Sequence, residues 1–151
     1  MYLIFDTETT GLPRSWSAPI TDTDNWPRCI QIAWQLHDDL GNLIEHQDYL
    51  VKPEDFSIPF QSEQIHGIST ELATQEGAEL EFVLEEFKTV LAKAKFVVGQ
   101  NIKFDLNVMG SELFRAFDET TKRELGSKIN LRTDKKEKTP EEVLSDFNVA
   151  L

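Results

Sequence analysis

The chain has 151 residues, 40% hydrophobic and 28% charged, with a net charge of −12 and one cysteine, Cys29. That is enough for one domain with a real core, and the balance excludes a protein that coats nucleic acid through a basic surface. A lone cysteine excludes an internal disulfide framework, and with no membrane-length apolar run and no signal-peptide pattern the expected location is cytoplasmic, away from membranes.

The first element is Tyr2-Leu3-Ile4-Phe5-Asp6-Thr7-Glu8-Thr9, closed by Thr10-Gly11-Leu12-Pro13. An apolar run of this length ended by Gly and Pro predicts a buried central strand. Residues 14–27 predict a polar loop, long for a structureless connection and of the kind that is often functional. Its Trp16 and Trp26 suit stacking on a base, though covering the loop is at least as common a role for such residues. From Cys29 to His37, Ile30, Ile32, Trp34 and Leu36 alternate with polar residues, which predicts a strand with one face on the core. Asp38–Asn42 is turn chemistry, and Leu43–Val51 reads as the returning strand of a hairpin.

Residues 54–78 are mixed, with Ser69-Thr70 as a helix cap. Leu80, Val83, Leu84, Phe87, Val90, Leu91 and Ala94 then recur at helical spacing. Phe96-Val97-Val98-Gly99 predicts a short strand parallel to the first. After Gln100-Asn101, the residues Leu106, Met109, Leu113 and Phe117 mark a second helix with Asp105 in its first turn. A βββαβα order implies an α/β domain with a mixed sheet.

Charge divides the chain near Phe117. Residues 1–117 carry 8 Lys and Arg against 19 Asp and Glu, a net of −11, whereas residues 118–151 carry 7 against 8. We therefore expect a domain over 1–117 and a divergent charged tail over 118–151. In that tail Ile129-Asn130-Leu131 reads as a short edge strand. Thr139-Pro140-Glu141-Glu142 reads as the start of a short helix near 140–147, with Val143, Leu144 and Phe147 as its apolar face. Lys122–Lys138 is locally basic and reads as a solvated segment.

The chemistry begins with Asp6 and Glu8. Alternation along a strand points them the same way, and two neighbouring carboxylates repel unless a cation lies between them. Hard oxygen donors suit Mg²⁺ or Mn²⁺. Asp105 opens a helix after a second strand, and parallel strands end at the sheet edge where ligands gather, so a third acid can join the pair. Its plain alternative is compensation of the helix dipole.

Those residues also match a family pattern. Asp6-Thr7-Glu8-Thr9-Thr10-Gly11-Leu12-Pro13, with Gly99-Gln100-Asn101-x-x-Phe104-Asp105, resembles the DEDD 3′–5′ exonucleases. Within them it is similar to the proofreading exonuclease of bacterial DNA polymerase III, the epsilon-type subunit. Pro27-Arg28-x-Ile30-Gln31-Ile32-Ala33 and Ile65-His66-Gly67-Ile68 also resemble segments of such proteins. The resemblance implies an RNase H-like α/β fold, a mixed sheet with flanking helices whose C-terminal part is incomplete here. It implies two-metal hydrolysis at the 3′ end of single-stranded DNA, with two Mg²⁺ or Mn²⁺ ions. By motif, Asp6 would bridge both ions, Glu8 would hold one, and Asp105 would support the second through water. Thr9, Gly11, Leu12 and Asn101 are the implied substrate-binding positions, Leu12 by packing on the terminal base. The implied partner is the polymerase III catalytic subunit, and the implied role is replication proofreading.

The resemblance covers residues 1–117 and then stops. The family takes a fourth acid from a later helix, preceded by His or Tyr, but no His-x₄-Asp or Tyr-x₃-Asp follows Asp105. Asp118, Asp134 and Asp146 lack such a neighbour, so the chain reads as the front part of an exonuclease domain whose ending is missing or replaced. A non-catalytic remnant acting as an interaction module, and an RNA-directed member of the same family, are the alternatives. His66 and Cys29 read as structural residues.

Overall fold

The computed structural model of the chain describes residues 1–125, with side chains through Ala116. Four strands form one sheet: β1 (Tyr2–Thr9), β2 (Cys29–His37), β3 (Leu43–Leu50) and β4 (Phe96–Val98). Their order across the sheet is β3-β2-β1-β4. β1 is antiparallel to β2 and parallel to β4, so the sheet is mixed, with β1 at its centre among the described strands. Antiparallel neighbours need only a tight turn, whereas the parallel pair needs a crossover. Here the crossover carries the helices α1 (Phe60–His66), α2 (Thr70–Glu76) and α3 (Leu80–Lys93), and α4 (Ile102–Leu125) follows β4.

The β2–β3 turn closes as its composition predicts. Asp38 Oδ1 accepts from the amides of Leu40 and Asn42 at 2.9 and 2.8 Å, and Gly41 takes the positive φ of 85° that the turn requires. α3 presents Val83, Leu84, Phe87, Val90 and Leu91 to one face of the sheet. There they meet Leu3 and Phe5 of β1, Ile32, Trp34 and Leu36 of β2, and Leu106, Val108 and Met109 of α4. Phe87 is the hinge pin of this core, with ring centroids 5.0 Å from Phe5 and 6.0 Å from Trp34. Burying a side chain of that kind contributes about 1.5–3 kcal/mol, so the α3 stripe is what fastens the helix to the sheet. A smaller cluster of Ile30, Ile58, Ile68 and Ala73 packs the short helices.

Two expectations are adjusted. The crossover contains α1 and α2, which the order βββαβα left out; at seven residues each they are too short to show a helical period. Ser69 does cap α2, accepting from the Leu72 amide at 3.0 Å, and Gly67 ends α1 in the left-handed region at φ 76°. β1 is central, but among the described residues only one of its faces is covered: Leu3 and Phe5 are buried, while Tyr2 and Ile4 are 39% and 43% exposed. α4 runs through the change in composition at Phe117 and on to Leu125. The expected strand at 129–131 and helix near 140–147 lie outside the described residues.

Candidate metal and nucleic-acid site

The alternation of β1 decides what each acid sees. Leu3, Phe5 and Thr7 face the core, and Asp6 and Glu8 face the other way, Asp6 exposed and Glu8 half-buried. Two residues along a strand separate their positions by roughly 7 Å. A register shift between Glu8 and Thr9, opposite Cys29–Gln31, ends the regular ladder beside the second acid. Such bulges bend a strand and re-aim its side chains; nothing in the sequence announces this one.

Asp105 reaches Thr7, the residue between the two acids, from the next element. β4 pairs only with Tyr2, Leu3 and Ile4, so β1 outruns it. The chain leaves β4 through Gly99, whose Cβ, if it had one, would lie 2.9 Å from the Phe5 carbonyl oxygen. Only glycine allows that approach. Asn101 then adopts a left-handed φ of 54°, a conformation asparagine tolerates better than most residues, and its carbonyl accepts from the Phe104 amide at 2.9 Å. One turn later, Asp105 Oδ1 accepts from both the amide (3.0 Å) and the hydroxyl (2.6 Å) of Thr7. The carboxylate thus replaces β4 as the partner of β1, at the residue between Asp6 and Glu8.

The electrostatics of that contact are opposed. Asp105 is 2% exposed, and burial pushes its carboxyl above the usual carboxylate range. The Thr7 bonds pull it down and the negative charge of Asp6 pushes it up again. A cation near Asp6 would relieve the same repulsion. The donors are hard oxygens, which fit a divalent ion of the magnesium type. Such an ion is commonly held by one or two carboxylates, with water and substrate phosphate completing its shell. Among the described residues no set of three His, Cys, Asp or Glu side chains is gathered to hold an ion alone.

The turn after β1 is fixed from three sides. Thr10 donates its amide to the Arg28 carbonyl (3.0 Å), accepts the Arg28 amide on its hydroxyl (2.9 Å), and accepts Ser62 Oγ on its carbonyl (2.7 Å). Thr9 keeps its hydroxyl within the turn, donating to the Gly11 carbonyl at 2.7 Å. Leu12 stands 73% exposed and Asn101 is also exposed, both open to a ligand. Beside this turn lies a cleft of about 400 Å³, with Thr10, Gly11 and Leu12 on its wall together with Arg14, Arg28, Arg115 and Asp24.

Behind the cleft sits a buried ion cluster that the sequence reading did not find. Glu112 is fully buried; its Oε1 accepts from Arg28 Nε (2.8 Å) and the Cys29 amide (3.1 Å), and its Oε2 accepts from Arg28 Nη2 (3.3 Å). Arg115 Nη1 lies 3.1 Å from Glu112 Oε1 without hydrogen-bond geometry, while Nη2 donates to the carbonyls of Thr23 (2.5 Å) and Trp26 (2.9 Å). The only available signal was the acid between apolar residues of a helix, which charge counting does not separate from a solvated one. Cys29 is buried, and burial followed by the Glu112 charge drives its thiol well up, which agrees with a structural part. His66 ends α1 and accepts the Ile68 amide on Nδ1 at 3.1 Å, holding the turn into α2.

Comparison with known proteins gives a family and a fold. The family model described as exonuclease (RNase_T) matches residues 3–143. Among solved structures, E. coli Exonuclease I in complex with a dT13 oligonucleotide superposes with a TM-score of 0.63 at 24% identity, over 77% of this chain and 24% of that one. Exonuclease I from Methylocaldum szegediense gives a TM-score of 0.62 at 25% identity, over 76% and 23%. The zinc-ion-bound complex of E. coli Exonuclease I with single-stranded DNA gives 0.62 at 24%, over 77% and 24%. The chain therefore spans about a quarter of the length of these proteins. No curated protein matches it. The mixed sheet with flanking helices is of the RNase H-like type, and among the described residues no helix is long and apolar enough to cross a membrane.

Proposed function

The chain belongs to the exonuclease family, and from that premise we propose that it carries the metal-binding and strand-gripping front of a 3′–5′ exonuclease acting on single-stranded DNA. The observation that carries this reading is the placement of Asp105. It bonds the one residue between Asp6 and Glu8, at the point where β1 outruns its parallel neighbour. Asp6 and Glu8 would hold Mg²⁺ or Mn²⁺, with Asp105 supporting the site from the core side. When bound, a pair of such ions stabilises the attacking and leaving oxygens of an in-line displacement at phosphorus. Asp105, through Thr7, fixes the backbone that carries both acids. The Thr10–Leu12 turn, pinned by Arg28 and Ser62, would present Leu12 to the terminal base, and the exposed Asn101 would contact the same strand. Thr9 contributes by shaping the turn.

Replication proofreading beside a polymerase III catalytic subunit is the finer form of this proposal, and the sequence resemblance of the first two motifs supports it. Discrimination of frayed ends would then come from the lower cost of unpairing a mismatched nucleotide.

The test is a 5′-labelled single strand incubated with the full chain and Mg²⁺ or Mn²⁺. The proposal expects a ladder shortening from the 3′ end with release of mononucleotides, abolished by chelation and by Asp6→Ala. A second reading, a non-catalytic interaction module, is favoured by the absence of a three-ligand set among the described residues. A rise in melting temperature with Mn²⁺ and no released nucleotide would select it. Running the ladder on an RNA strand separates the RNA-directed alternative.

A further inference from the structure

We infer that Trp16 is a base-stacking residue that takes a nucleobase of the single strand entering beside Asp6 and Glu8, an inference that rests on the exonuclease reading above. The chain has three tryptophans. Trp26 and Trp34 are 2% and 3% exposed, and Trp16 is 55% exposed. Trp26 is the residue that closes the loop, donating its indole N–H to the Pro19 carbonyl at 3.0 Å. Trp16 packs against Phe104, with ring centroids 5.7 Å apart at an interplanar angle of 50°. Phe104 immediately precedes Asp105 in the first turn of α4, so the open indole rests on the helix turn that carries the buried acid.

The loop behind Trp16 is held by buried polar groups. Asn25, 7% exposed, accepts the Ser15 amide on Oδ1 (2.7 Å) and donates to the Ser15 carbonyl (2.9 Å), clamping both backbone groups of the residue before Trp16. Arg115 fastens the far side through the carbonyls of Thr23 and Trp26. A tryptophan that only covered its loop would not leave more than half of its surface open on so fixed a backbone. Because the loop is ordered in advance, a base that stacks there does not bear the cost of ordering it. The charge points the same way. The 15 Lys and Arg are outnumbered by 27 Asp and Glu, which repel phosphates, and stacking on an aromatic grips a strand without charge. Stacking of this kind changes affinity by roughly ten- to a hundredfold per base.

The full chain is titrated with a 5′-fluorescein oligo-dT in Ca²⁺, reading anisotropy for binding and intrinsic tryptophan emission for contact. The expected result is a saturable change in emission that follows the anisotropy and disappears in Trp16→Phe. Trp16→Ala should weaken binding about ten- to a hundredfold, Trp16→Phe less, with both variants melting at the wild-type temperature. Binding of equal affinity by wild type and Trp16→Ala, or binding with unchanged emission, overturns the Trp16 inference and leaves the exonuclease reading standing. No anisotropy change at any concentration overturns both.

Discussion

Replacing Glu112 by alanine should cost about 3–5 kcal/mol of stability, the usual cost of breaking a buried ion pair from one side. The carboxylate is fully buried and meets two guanidinium groups, whose side chains are 25% and 18% exposed for Arg28 and Arg115. Removing it leaves two cations facing each other with only Asp24 acting on Arg115 as a counter-charge, and leaves the Cys29 amide without its acceptor. An unpaired buried amide alone costs about 1–3 kcal/mol, so part of the loss remains even if water enters to solvate the guanidinium groups. For a domain of this size about 2–4 °C is lost per kcal/mol, which gives a fall in melting temperature on the order of 10 °C. Glu112→Gln keeps an acceptor for the amide and loses only the charge, and should fall between wild type and alanine. The perturbation also reaches the site. Arg28 pairs with Thr10 in both directions, so loosening its side chain frees the turn that presents Leu12. KM for an oligonucleotide should therefore rise more than kcat falls. Urea unfolding followed by circular dichroism measures the stability. A folded Glu112→Ala variant within about 1 kcal/mol of wild type would refute the reasoning, because the cluster would then be solvated rather than buried.

Gly99→Ala should destabilise by about 1–3 kcal/mol, the range for overpacking. Ile102 Cδ1 can move away from the new methyl, but the Phe5 carbonyl oxygen at 2.9 Å is backbone and cannot without parting β4 from β1; a wild-type urea midpoint would contradict this. Asp105→Asn tests the buried carboxyl. Its folded-state pKa is raised by burial and by Asp6 despite Thr7, so the folded chain holds a proton that the unfolded chain releases. Wild-type stability therefore falls as pH rises from about 4 through the raised value. Asparagine does not ionise and still offers Thr7 an acceptor, so without divalent metal the variant should gain on wild type between pH 4 and pH 7. Parallel melting curves across that interval would show that the carboxyl is not strained. With Mn²⁺ present, wild type should gain more than the variant.

Much of the frame could be read from the residues because it depends on local pattern. The alternation of Ile30, Ile32, Trp34 and Leu36 and the helical stripe of α3 each carry their own period, and burial followed both. What could not be read depends on where elements stop. Tyr2 and Ile4 were expected to be buried with Leu3 and Phe5, since an apolar run does not state how many faces of a strand are covered. Trp16 and Trp26 share one loop and one composition, and only packing separates the buried residue from the open one. Glu112 and Arg28 lie 84 residues apart, beyond any local period.

The placement of Asp105 joins the two kinds of information. Sequence pattern puts a carboxylate in the first turn of a helix after a short strand, which by itself fits a dipole role. The shortness of β4 changes its meaning. Had β4 continued for three more residues, its backbone would occupy the Thr7 amide and Asp105 would have no place on β1. Because the ladder stops at Ile4, the free amide of Thr7 selects a carboxylate, and the residues on either side of Thr7 are the two acids on the opposite face. Asp105 is therefore drawn to the strand between the two acids by an unmade backbone hydrogen bond. Substituting Thr7 by valine removes the hydroxyl and keeps the amide. It should weaken the hold on Asp105 without abolishing it, whereas a proline at Val98 or Gly99 that disturbed the strand end would lose the arrangement altogether.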